Sequence, residues 1–555
     1  MSARKISLVL GGVVLLLFVV PLLAGFLGTV LPAFGLLPGL AETEGFTALF
    51  ADSRFWPSIF LTLKTGLIAT VLVLLITTLC LVCVQGTRLW RWVLASLPPL
   101  LAVPHAALAV GILFLIAPSG WIVRLLSPWL TGWDRPPTVW VVPDAQGFSL
   151  IIGLVIKEFP FLLLAAIAQL PALNVDASLA IGRTLGYSPA RCWSRLILPQ
   201  LYPRIRFTLL IVLAFNLGVV DMALLLGPGN PPTFSVFLMT LVNDPDARAT
   251  ASAGALVLAL GVFAVFGVLY LFERLVTSWA QFRRSNGHRG AGLKFFRKAG
   301  QWLVSGVLAF SLFSLVMLVV WSVTRRWRFP NAVPQQWSLE QWVTRTDTLF
   351  DPFLLTICIA TATAILAMVA AIVWLELERL HRVPKLNSIW FIPLLVPQVT
   401  LLFGWQAFSL LLGIDGHWLT VVYSHWVYAL PYVILILAAA WREYDPNWHH
   451  AAHTIGGGYF RVLMKVHLPM LAKPLSQAVA VAIAVSVAQY LPTLLLGGGR
   501  YQTLAIELVT SFGGVDRRVI AALALLQSLL PVLAFLGALI VPWIVLKPRT
   551  LLWQR

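Results

Sequence analysis

The chain has 555 residues, of which 59% are hydrophobic and 11% charged, with a formal net charge of +18 and a mean hydropathy of +0.90. Soluble globular domains carry about 25% charged residues, so this composition excludes an ordinary soluble enzyme and points to a polytopic membrane protein. The basic excess is a topology signal, not a nucleic-acid footprint, because it gathers in the loops of one side.

A helix needs about 20 apolar residues to cross a bilayer. Twelve stretches qualify, and their order predicts an all-α polytopic membrane protein of about 12 spans arranged as two parallel six-helix repeats. The first half holds 6–31, 58–84, 93–117, 148–170, 206–228 and 251–276. The first of these follows Arg4 and Lys5, is too long for a secretory signal and reads as a retained span. Cys80 and Cys83 form a CxxC on the second span, where packing is the expected role. The loop 118–147 carries Trp121, Trp129, Trp133 and Trp140, which suit a membrane interface and a segment dipping into the headgroups.

Lys157 and Glu158 are adjacent in the fourth span, and Asp221 lies near the outer end of the fifth. Ionisable groups at membrane depth are costly unless paired or hydrated. Two readings stand open for Lys157 and Glu158: a wall of a translocation path, or a structural charge pair between helices.

A polar, basic linker at 286–300 separates the halves, dividing the chain into 1–285 and 301–555. The second half holds spans at 301–324, 353–375, 388–413, 422–441, 476–496 and 518–547, with the third and ninth spans rich in Pro. Gln489 in the eleventh span and Glu507 in the following outer segment are further path candidates. With both termini inside, the inner loops and tails hold a large surplus of Lys and Arg while the outer loops are nearly neutral, which sets the orientation. No cysteine falls in an outer loop, so no external disulfide framework is expected.

The two halves share a motif 270 residues apart. Loop 171–205 reads Thr184-Leu185-Gly186, nine residues, then Leu196-x-Leu198-Pro199. Loop 442–475 reads Thr454-Ile455-Gly456, nine residues, then Val466-x-Leu468-Pro469. The register continues to Gly227 with Gly497 and Thr233 with Thr503, so the chain is an internal duplication. Within each loop, 176–186 and 447–456 suit a short helix, with Asp176 or Asp445 as N-cap and the Gly ending it. His449, His450 and His453 have a spacing that can bind metal, but contact with a partner or solvent is the expected role and no metal site is expected.

Both loops resemble the EAA loop of binding-protein-dependent ABC importer permeases, whose form is Glu-Ala-Ala, three residues, Gly, nine residues, Ile-x-Leu-Pro. The tandem arrangement resembles the fused permeases of ferric-iron and thiamine uptake, and Gly227-Pro228-Gly229-Asn230-Pro231-Pro232 looks closest to the thiamine branch. The family's Glu falls at Ala180 and His450, and only the second loop keeps Ala451-Ala452. The resemblance implies a permease of the bacterial inner membrane with two copies of an ABC ATPase, which would hold ATP and Mg, and an extracytoplasmic solute-binding protein. Its coupling residues would be Arg183, Thr184, Gly186, Leu198 and Pro199, then His450, Ala451, Ala452, Thr454, Gly456, Leu468 and Pro469. The chain has no Walker A pattern and no catalytic constellation, so no enzymatic role and no cofactor of its own are expected. A twelve-span secondary transporter driven by an ion gradient is the alternative.

Overall fold

The computed structural model describes residues 3–36, 44–138, 142–283, 294–381, 387–454, 458–514 and 516–550. Most of the linker, Trp140 and Gly456 lie outside them. The chain is helical throughout apart from one small antiparallel pair, Thr324–Arg326 with Gln336–Trp337, among the described residues. Helices dominate because a backbone in hydrocarbon must satisfy its own hydrogen bonds.

Among the described residues, ten helices are long and apolar enough to cross a membrane, and eleven if Tyr459–Met470 and Ala472–Val487, bent by 80°, form one span. The shortfall from twelve lies in the ninth, which breaks into Asn387–Trp390, Ile392–Leu395 and Gln398–Leu411. Pro393 and Pro397 remove amide donors there, and Val396 is extended, as the residue before a proline prefers. The third span breaks the same way into Arg88–Ala102 and His105–Ile116, with Val103 extended before Pro104. The fifth and eleventh are also broken, into Leu198–Gly218 and Asp221–Leu226, and into Ala472–Val487 and Leu491–Gly497. Four interrupted spans, two per half, therefore meet in the middle of the bundle.

The halves are interleaved. The first span, Ala3–Ala33, packs on the eighth, Thr346–His381, and on Gln398–Leu411 of the second half. The seventh, Lys294–Ser322, packs on Phe55–Val84 and His105–Ile116 of the first half. Small residues permit both crossings. A Cβ at Gly28 would lie 2.1 Å from the Gly404 carbonyl oxygen, and one at Gly111 would lie 2.5 Å from that of Ser314. Thr29 Oγ1 donates to Thr400 O at 2.6 Å across the first contact. Aromatic rings fill the flanks, with Phe18 4.6 Å from Trp390 and Phe114 5.3 Å from Trp321. The duplication is visible in single hydrogen bonds too. Phe234 N donates to Thr62 Oγ1 at 2.7 Å, and Leu504 N, 270 residues on, donates to Thr356 Oγ1 at 2.9 Å.

On the less basic side, the loop at 118–147 departs from a purely lipid-facing segment. Trp121 donates its indole N–H to Ala332 O at 3.1 Å, so it binds the second half rather than a headgroup layer. Arg124 is buried beside it, donating to the carbonyls of Ser119, Asn331 and Trp327 and lying 4.9 Å from the Trp327 ring centre. Trp129 is 93% exposed.

Candidate coupling loops and central polar site

The first motif loop builds a helix, Val175–Thr184, that stops at Gly186. Gly186 has φ 79, a left-handed conformation that glycine adopts at no steric cost. Tyr187 N donates to Gly182 O at 2.9 Å and Gly186 N to Arg183 O at 3.0 Å, the paired bonds of a Schellman stop. The predicted cap Asp176 is corrected: Asn174 occupies the cap position, with φ 43, and Asp176 lies inside the first turn. In the second loop Asp445 does cap Pro446–Thr454, accepting from Asn447 N at 2.9 Å. His450, Ala451, Ala452 and Thr454 lie on this helix, while Gly456 falls outside the described residues.

Chain geometry after each stop repeats at the 270-residue offset. Pro189–Cys192 and Tyr459–Val462 are each followed by one π-helical turn, Trp193–Ile197 and Leu463–His467, running into Leu198-Pro199 and Leu468-Pro469. Each Pro cannot donate to the carbonyl four residues back, and the widened turn sits where that bond is missing. The departure from Ala-Ala in the first loop has a steric reason, since a Cβ at Gly182 would lie 2.2 Å from Cys192 Sγ.

The loops are anchored differently. Tyr202 donates its hydroxyl to Glu273, and Arg206 Nε lies 2.9 Å from Glu273 Oε2, tying the first loop to the sixth span. The second is tied to the eighth span through buried Glu376, which accepts from Tyr459 at 2.7 Å and from Arg379 at 2.8 Å. His467 Nδ1 lies 3.0 Å from Glu376 Oε1, and its ring packs against Tyr444 and Trp441 at 4.0 and 4.4 Å. Glu273 and Glu376 were not singled out from the sequence. Their signal was present: both are rare acidic residues at the ends of spans on the basic side.

Arg183, Thr184, Ile181 and Leu185 are exposed on the first loop, as are Trp448 and Phe460 on the second. Leu198 and Leu468 are half-buried at the starts of their helices.

At the centre of the bundle, Lys157 and Glu158 are both buried. Among the described residues Lys157 makes no ion pair within 4.0 Å; its Nζ bonds Val103 O at 2.5 Å and approaches Leu101 O at 3.4 Å. These carbonyls belong to the break at Pro104, so the ammonium caps a helix end. Glu158 Oε1 lies 3.6 Å from His105 Nε2, and the His105 ring packs tilted against Phe215 at 4.5 Å. Asp221 lies within electrostatic reach of His105, Lys157 and Tyr490, and Glu158 within reach of Tyr432. Gln489 is buried at the eleventh-span break and accepts from Gln398 Nε2 at 3.4 Å. A Cβ at Gly218 would lie 3.1 Å from Pro397 Cβ, so the halves touch where their spans are broken. Glu507 is not in this group; it accepts from Ser511, which follows its own short helix Leu504–Thr510. His105 was missed in the sequence, although Pro104 before it marks an interrupted span.

Paired matched loops at one end of a duplicated helical bundle, with polar groups at its centre, define a membrane transport subunit. The chain is 31% identical over 512 residues to the inner membrane ABC transporter permease protein YnjC of Escherichia coli K12, covering 91% of this chain and 92% of that protein. It is 23% identical over 155 residues to the spermidine/putrescine transport system permease protein PotC of the same strain, 27% of this chain and 58% of PotC. It is also 26% identical over 190 residues to the putrescine transport system permease protein PotI, 32% of this chain and 66% of PotI. No family model matches the chain. The chain belongs to the ABC transporter permease family. It is a multi-pass inner-membrane protein that carries two permease units in one polypeptide, and a transport component rather than an enzyme.

Proposed function

We propose that this chain supplies both transmembrane units of an ATP-driven importer, moving a small solute delivered by an extracytoplasmic binding protein. Two copies of an ABC ATPase subunit, holding ATP and Mg, dock on the loops at 171–205 and 442–475 from the cytoplasm, where both termini also lie. The observation that carries this reading is the matched pair of π-turns ending in Leu-Pro, 270 residues apart. Ile181, Leu185, Trp448 and Phe460 are exposed in these loops, and exposed apolar groups there suit a protein cleft. Nucleotide-driven closure of the ATPase pair draws the loops together and turns the bundle outward; hydrolysis resets it.

Glu158, Asp221 and Gln489 are the candidate path residues; Lys157 caps the break at Pro104, and Glu507 lies apart from the centre. The solute is a small cation, thiamine-like or ferric iron by resemblance. The names of PotC and PotI, which refer to spermidine and putrescine, add weight to the organic class. A gradient-driven transporter has no use for matched docking loops.

Uptake into proteoliposomes tests the reading. It should require the copurified ATPase and Mg-ATP, survive a protonophore, and fall when Gly186 is replaced by Val. Uptake that needs no ATPase and is abolished by the protonophore overturns it.

A further inference from the structure

The buried charges at the centre do not balance through contact. Lys157 lies within electrostatic reach of both carboxylates, yet its ammonium bonds the carbonyls of Val103 and Leu101. Glu158 is 6% exposed and accepts no hydrogen bond among the described residues, its nearest polar neighbour being His105 at 3.6 Å. An ionised carboxylate held at membrane depth without a partner costs several kcal/mol, so such groups face a cavity or a ligand. Asp221 adds a second buried carboxyl within electrostatic reach of His105 and Lys157.

Among the described residues, the groups that the opposing half brings within electrostatic reach are neutral. Tyr432 lies within electrostatic reach of Glu158 and Tyr490 of Asp221, and Gln489 precedes Tyr490 at the eleventh-span break. Phenol rings present π-faces that attract a desolvated cation, and amide and phenol oxygens accept hydrogen bonds from an ammonium. The arrangement is one-sided. Aligned on Pro160 and Pro431, Tyr428 stands where the first half has Lys157 and Ala429 where it has Glu158; at the 270-residue offset Leu491 stands where it has Asp221. One half brings the charge and the other brings neutral acceptors and aromatic faces.

We infer that Glu158 and Asp221 form, with Tyr432 and Tyr490 of the other half, a binding site for a small organic ammonium cation in the translocation path. The inference rests on the importer reading above. It gives the path a sign: the site attracts cations and repels anions, with Glu158 as the principal ion-pairing group and His105 holding its carboxylate in place.

Charge-selective thiol labelling tests it without knowledge of the natural solute. Cys80, Cys83, Cys192 and Cys358 are replaced by Ala, and Gln489→Cys is introduced into the full-length chain. Proteoliposomes containing the chain and its ATPase are labelled with a trimethylammonium methanethiosulfonate and with its sulfonate counterpart, each rate divided by that for a free thiol. The local potential acts on the cysteine's own ionisation equally for both reagents, so their ratio reads the field at the site. The cationic reagent should react about tenfold faster or more, within the range expected for a focused field. Putrescine should slow the reaction, Glu158→Asp should keep the preference, and Glu158→Gln with Asp221→Asn should bring the ratio near unity.

Equal rates, a preference that survives loss of both carboxylates, or absence of labelling in a complex that transports each overturn the site. Uptake on the same vesicles separates this outcome from the importer reading. ATP-dependent uptake without charge preference sinks the site alone, and charge preference with uptake driven by a proton gradient sinks the importer alone.

Discussion

Gly404 and Gly25 are in backbone contact: a Cβ placed on Gly404 would lie 1.8 Å from the Gly25 carbonyl oxygen. The first helix is thereby locked to the second half of the chain, and the two permease units cannot separate as independent bundles. Backbone on both sides leaves nothing that can yield. Gly404→Ala is therefore expected to lower stability by about 1–3 kcal/mol or more, as overpacking does. Gly12→Ala and Gly306→Ala, with no heavy atom within 4 Å of the added carbon, should stay within about 0.5 kcal/mol. Thermal unfolding of the purified chain in detergent checks the contrast.

Lys157 acts on the break at Pro104 rather than on a carboxylate. Lys157→Met should cost about 1–3 kcal/mol, the penalty of leaving buried acceptors unpaired. Lys157→Arg should recover part of it. An unchanged unfolding temperature in Lys157→Met, with transport altered, would instead return Lys157 to the path.

Unequal anchoring of the two loops has a functional consequence. Removing one partner of a buried ion pair costs about 3–5 kcal/mol, whereas partly exposed pairs are worth about 1 kcal/mol or less. Glu376→Gln should thus uncouple ATP hydrolysis from transport more severely than Glu273→Gln, because Arg206 is 36% exposed and Glu376 is held inside. Equal losses in the two variants, measured as transport per ATP hydrolysed, would show that the loops are equivalent.

Asp144 caps the fourth span, accepting from the amides of Phe148 and Ser149 at 2.7 and 2.8 Å. Burial alone would raise its carboxyl above the ordinary 3.8, but the bonds from Ser149 and Phe148 outweigh it and hold it lower. A carboxylate depressed on folding adds stability above its ordinary value and loses it as pH falls through the lowered one. Asp144→Ala should cost about 1 kcal/mol at neutral pH. The difference from the parent chain should vanish in strong acid, as followed by unfolding across pH.

Much of the site was legible because its signals are local. Gly186, Pro199 and Pro469 act through their own φ or missing amide, so spacing alone marked the loops, and the broken third and ninth spans were announced by Pro104 and Pro397. Glu376 and His105 were not legible in this way. Each matters only through residues far off in sequence, His467 for one and Glu158 for the other.

The sequence by itself determined the membrane class, the duplication and the position of the loops, since hydropathy, charge bias and a 270-residue register depend on residues a few positions apart. Only the tertiary structure decided that the halves exchange their first helices, that Lys157 bonds a helix end, and that Glu158 faces His105 without a hydrogen bond among the described residues. Those outcomes turn on which backbones can approach within van der Waals distance, and small residues such as Gly28, Gly111 and Gly404 settle that in space rather than along the chain.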